Sequence, residues 1–197
     1  MKSIKQHYSR IAAFLAVLGI LSLFFFPLWQ ITLEAPQYPG GINIYILINQ
    51  ITGDSPATLQ NINILNHYVG MKFIEPDSIP ELKYFPYVIA FLALFGVFAV
   101  WRNNRYIYLA WFVIFLLLAV LGLYDFYLWE FDYGHNLNPN APIKVPGQSY
   151  QPPLIGNKML LNFKASSWPH VGGILMGISL VLSFLAFIFS RNKKVVR

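Results

Sequence analysis

Apolar residues fall along this chain in four long runs, separated by stretches in which apolar and polar residues mix. A helix needs about 20 predominantly apolar residues to cross the hydrocarbon core of a bilayer. Residues 11–29, 84–101, 106–124 and 171–190 approach that length, and none of these runs contains Asp, Glu, Lys, Arg or His. Tyr8 and Trp29, Tyr84 and Trp101, Tyr106 and Tyr124, and Trp168 stand at their ends. Aromatic residues collect in this way at membrane–water interfaces. The pattern predicts an all-α membrane protein with four transmembrane helices in one domain, residues 1–197. The first run follows a basic tail (Lys2, Lys5, Arg10), as the core of a cleaved signal peptide would. It is longer than the roughly 7–15 residues of such a core, and Phe24 to Trp29 offer no small residues for cleavage. It reads as a retained helix.

Two long loops, 30–83 and 125–170, lie between the runs. Ile31-Thr32-Leu33-Glu34 alternates like a strand, and Pro36, Pro39, Gly40 and Gly41 interrupt it. Residues 42–48 are rich in isoleucine and fit a second strand or a membrane-surface segment. Leu59, Ile62, Leu65 and Val69 recur at helical spacing, with Ser55 or Thr58 as a cap and Gly70 as a stop. Residues 125–135 alternate acids with aromatics and fit either a helix leaving the membrane or a strand. Pro139, Pro142, Pro146, Pro152 and Pro153 force the stretch from Asn136 to Pro153 to run extended. Both loops carry apolar residues that neither buries alone, so they are expected to fold together as a cap.

Composition sharpens this picture. The chain is 56% hydrophobic and 11% charged, where a soluble domain carries about 25% charged residues. A soluble enzyme and a disordered chain are both excluded. Cysteine is absent, which removes disulfides, thiolate metal sites and cysteine nucleophiles.

The net charge of +6 is unevenly placed. Lys2, Lys5, Arg10, Arg102, Arg105, Arg191, Lys193, Lys194 and Arg197 lie in the two tails and the link after the second run, with no acid among them. The long loops hold Lys72, Lys83, Lys144, Lys158 and Lys164 together with all eight acids. Basic residues favour the cytoplasmic side in short flanks. Both termini are therefore expected in the cytoplasm of a bacterial cell, with both long loops beyond the inner membrane. The +6 then marks orientation and contact with anionic lipid, and no nucleic acid partner is expected.

No glycine-rich nucleotide loop, G-x-S-x-G elbow or H-E-x-x-H pair occurs. The spans lack the acids that mark ion-coupled transporters. His67, Met71, His135, Met159 and His170 remain as a metal-ligand set, since imidazole and thioether together suit copper. His67 and Met71 share a face if the helix continues past Gly70. Each histidine also reads simply as a structural residue. Asp125, Glu130 and Asp132 fit a hard-cation site or, more ordinarily, a solvated acidic rim. Gly172, Gly173, Gly177, Ser179 and Ser183 offer a small-residue face for close packing within the bundle.

Some loop phrases are more specific than the spans. They are Leu33 to Gly41, Leu65 to Lys72, Tyr133 to Gly147 and Tyr150 to Gly156. Through them most of the chain resembles a family of four-helix membrane proteins from Bacteroidota-type bacteria, found in nitrous-oxide reductase gene clusters. The resemblance implies a non-catalytic accessory role for a periplasmic copper enzyme, in maturation or electron supply, reached through a partner at the loops. It assigns no residue roles. Two alternatives stand beside it. One is a quinol- or haem-linked membrane subunit using His170, Trp168 and Asp125, and the other is a scaffold with no ligand.

Overall fold

The computed structural model describes residues 2–190, and of residues 2–5 the backbone alone. The tail charges Arg191, Lys193, Lys194 and Arg197 lie outside the described residues. In chain order the elements are α1 (Lys2–Leu21), β1 (Trp29–Ala35), β2 (Tyr38–Ile46), β3 (Ile51–Gly53), α2 (Thr58–Val69), α3 (Glu81–Arg102), α4 (Arg105–His135), β4 (Gly156–Leu160), β5 (Phe163–Pro169) and α5 (Val171–Phe189).

Four helices are long and apolar enough to cross a membrane: α1, α3, α4 and α5. They pack as a ring, with α1 against α5 and α3, and α4 against α5 and α3. Close approach of α1 and α5 depends on Gly19, because a Cβ there would collide with the Ser179 hydroxyl. Ser179 and Ser183 are buried as the packing face requires. Gly172 and Gly173 are also used, but against the backbone of residues 26–28, while Gly177 borders open space. The expected five-residue face is therefore only partly employed.

The first span ends earlier than its apolar run. After α1 a 3-10 turn closes at Phe24, where the Phe25 and Phe26 N–H groups both donate to the Ser22 carbonyl. Pro27 cannot continue a helix, and Trp29 already belongs to β1. At the opposite end of the bundle Asn103 makes the tight turn from α3 to α4 in the left-handed region (φ 45°). Its side-chain oxygen accepts bonds from the Ser9 and Tyr108 hydroxyls, which ties the link to α1.

The 31 residues of α4 extend about 46 Å at 1.5 Å per residue, against a hydrocarbon core of about 30 Å. The apolar span is used up by Tyr124. Residues 125–135 continue as helix into the cap, which settles the helix-or-strand alternative there.

The cap holds a five-stranded antiparallel sheet in the order β3-β2-β1-β5-β4, so the all-α expectation needs correction. The cause lies in long-range pairing. β1 follows the first span directly and β5 leads directly into α5. Those strands pair from Trp29↔Pro169 to Glu34↔Lys164, prolonging the packed α1–α5 pair. The junction is sealed where His170 N–H donates to the Leu28 carbonyl and Gly172 N–H to that of Pro27.

One sheet face carries Trp29, Ile31, Ile42, Ile44 and Ile51, and packs on α2 and on Phe126, Trp129 and Tyr133 of α4. The other is polar: Asn43 and Tyr45 both bond Asp54, and Gln30 and Thr32 bond Asn43. The helix α2 stops at Gly70 as expected, with φ of 83°. Its start differs. The position ahead of the helix is Ala57, and Thr58 Oγ1 instead accepts the Ser55 N–H within the preceding turn.

Candidate functional site in the cap

The five metal-ligand candidates do not form one cluster, but two of them share a surface. Gly70 ends α2, so His67 and Met71 do not continue on one helical face. Both nonetheless line an open groove with Lys72, Phe73 and Asn136 to Asn138. His135 closes α4, its ring stacked on Phe131 at 4.0 Å with Nδ1 3.0 Å from the Phe131 carbonyl oxygen. Met159 is exposed on the edge strand β4. His170 sits at the sheet–α5 junction, edge-on to Tyr45 at 5.5 Å, and its Nδ1 is buried without a hydrogen-bond partner. Among the described residues no three His, Cys, Asp or Glu side chains are grouped to hold a metal ion.

The acidic rim dissolves into separate parts. Asp132 is exposed and paired with Lys72 and Asn136, which hold its carboxyl below the usual carboxylate range. Glu130 is fully buried, with 0% exposure, and neither carboxyl oxygen has a hydrogen-bond partner. Burial pushes its carboxyl up to about 8. At neutral pH Glu130 is therefore mostly an uncharged acid, able to donate a proton to a hydrogen bond.

Helical spacing explains the placement. Phe126, Trp129, Glu130 and Tyr133 fall at i, i+3, i+4 and i+7, the stripe by which a helix faces a core. Glu130 occupies an apolar position in that stripe. The stripe emerges only when residues 125–135 are helical, since in a strand the same residues alternate between two faces.

With both its carboxyl oxygens buried, Glu130 lines a partly open pocket of about 90 Å³ between the apolar sheet face, α2 and the end of α4. Its lining also includes Tyr150, whose hydroxyl is buried and unpartnered. Tyr150 belongs to the proline-rich strap. The strap is fastened where Asn138 N–H donates to the Gly70 carbonyl, Ile143 N–H to that of Tyr68 and Tyr150 N–H to that of Gly134. A buried acid with aromatic neighbours thus exists, but at Glu130 rather than at Asp125, Trp168 and His170. No protein-family model matches the chain, and no curated protein matches it.

Proposed function

We propose that the chain is a non-catalytic accessory protein of the bacterial inner membrane, with cytoplasmic termini and a periplasmic cap that supports a copper enzyme of the nitrous-oxide reductase kind. Charge placement supports the orientation: nine basic and no acidic residues sit in the tails and the α3–α4 link. The loop phrases that resemble the nitrous-oxide reductase cluster family supply the partner. The observation that carries the copper reading is the groove that presents an imidazole and a thioether together, at His67 and Met71. Two donors on an open surface suit transient contact with Cu(I), held in passing on the way to a partner.

Titration of the purified protein with Cu(I) tests this. Wild type should bind, His67→Ala and Met71→Ala should each weaken binding at least roughly tenfold, and Met159→Ala should match wild type. Equal binding by all four proteins, or by none, removes the copper role and leaves a scaffold.

A further inference from the structure

Glu130 stands where three walls meet: the apolar sheet face, α2, and the strap of residues 136–155 that runs from the end of α4 to β4. Its side chain is fully buried and neither carboxyl oxygen has a donor. An ionised carboxylate is heavily penalised in such surroundings, so the closed cap requires the uncharged acid. Among the described residues, the sheet, α2 and the segment after α2 bring no charged or titratable side chain to the pocket beside it. The end of α4 brings Tyr133, and the strap brings Tyr150. Burial alone raises the carboxyl, and no charged neighbour favours the ionised form.

The three walls are not equally fastened. The sheet is held by its ladders, with β1 at its centre, and α2 by its own helical bonds and by Ile62 in the core. The strap has neither. Backbone bonds tie it to the end of α2 at Gly70 and Tyr68 and to α4 at Gly134. Five of its residues are prolines, which have no N–H to give. Its tightest approach is at Gly134, one helical turn beyond Glu130, where a Cβ would collide with the Gln151 backbone. Beside that contact the Tyr150 hydroxyl is buried and unpartnered. Closure therefore withholds water from two polar groups at once, Glu130 on α4 and Tyr150 on the strap. Few regular bonds and unsatisfied polar groups make the strap the wall that opens first.

We infer that Glu130 is the latch of this strap: protonated, it lets the strap lie closed against α4, and ionised, it drives the strap off so that water reaches the carboxylate. The proton passes to solvent, and water donors replace the missing partners of the carboxylate. Leu137 and Asn138 of the strap form one wall of the groove that holds His67 and Met71. Release therefore also takes that groove apart, whatever it carries. With the carboxyl at about 8 when closed and 4.5 when hydrated, the ratio of open to closed strap should rise about a hundredfold between pH 6 and pH 9.

The absence of cysteine allows nitroxide pairs to be placed at chosen positions. The full chain in detergent, with no copper added, would carry them at Gln60→Cys and Asn140→Cys, exposed sites on α2 and on the strap. A reference pair at Gly40→Cys and Gln60→Cys joins β2 to α2 without touching the strap. Pulsed electron resonance at pH 6 and pH 9 reads the distances. With Glu130 present, the strap pair should give one narrow distance at pH 6 and a second, broader population at pH 9, while the reference pair stays unchanged. Glu130→Gln and Glu130→Met are uncharged at both pH values and should keep the narrow distance throughout. The inference is overturned if the strap pair gives the same distances at both pH values with Glu130 present, the result of a carboxylate hydrated in place through the open side of the pocket. It is equally overturned if the Glu130 variants broaden as wild type does, or if the reference pair broadens together with the strap pair, which reports loss of the whole cap.

Discussion

A carboxyl group that folding takes out of water without a hydrogen bond makes stability depend on pH in a definite direction. Glu130 has its proton held to about 8 in the fold, against 4.5 for the ordinary side chain. Between those values the folded protein binds more protons than the unfolded chain, so stability falls as pH rises through the window. Below about pH 4.5 both states are protonated and the penalty vanishes; above about 8 it is complete, on the order of a few kcal/mol. Thermal unfolding in detergent should show a Tm that drops from pH 5.5 to pH 8.5 in wild type, with a smaller drop in Glu130→Gln. An equal drop in both proteins would place the pH dependence elsewhere. Asp132 works in the opposite sense, its carboxyl lowered by hydrogen bonds from Lys72 and Asn136. It is exposed, so its pair with Lys72 stabilises by less than about 1 kcal/mol.

At the scale of elements, two of the positive-φ turns, at Gly70 and Leu161, meet that geometry with different residues. Gly70 ends α2 at φ 83°, and a Cβ there would meet the Ala141 Cβ at 2.9 Å and the Asn138 carbonyl oxygen at 3.0 Å. Gly70→Ala should cost at least about 1–2 kcal/mol and loosen the strap that carries Tyr150. Leu161 turns β4 into β5 at φ 56°, where a leucine is strained. Leu161→Asn should therefore raise stability by roughly 0.5–1 kcal/mol, since Asn tolerates this region better. Denaturation midpoints of the two variants should move to opposite sides of wild type.

These turns also show what the sequence conceals. Gly70 as a helix stop follows from local chemistry, and so do the four spans, whose length the bilayer fixes. Ile31 to Glu34 betrayed a strand by alternation. The β4–β5 hairpin did not, because its turn lacks glycine and β4 reads Gly-Asn-Lys-Met-Leu, with little apolar alternation. Its place in the sheet comes from β5 pairing with β1, more than 120 residues away. Among the candidate ligands, His67 and Met71 were legible as donors. Glu130 was visible only once the segment after Tyr124 was known to be helical.

Bundle and cap are joined through short connections and one shared helix. α1 passes into β1 within eight residues, β5 passes into α5 through His170 alone, and α4 belongs to both parts. A load on the cap is therefore transmitted to α1, α4 and α5 directly. This architecture also fixes which parts share a side: both cap loops lie together, with the α3–α4 link across the bilayer from them. The chain's lack of cysteine makes that arrangement directly measurable, because any introduced cysteine is the only one present. Asp77 and Asn140 are exposed in the two halves of the cap, and Val196 lies in the C-terminal tail. If the basic flanks set orientation, Asp77→Cys and Asn140→Cys should react with a membrane-impermeant maleimide in intact spheroplasts. Val196→Cys should react only after lysis. Labelling of Val196→Cys in intact cells, with protection of the other two, would reverse the orientation and move the His67–Met71 groove to the cytoplasmic side. Labelling that separates Asp77 from Asn140 would contradict the fold itself, since the β1–β5 pairing requires both loops on one side of the membrane.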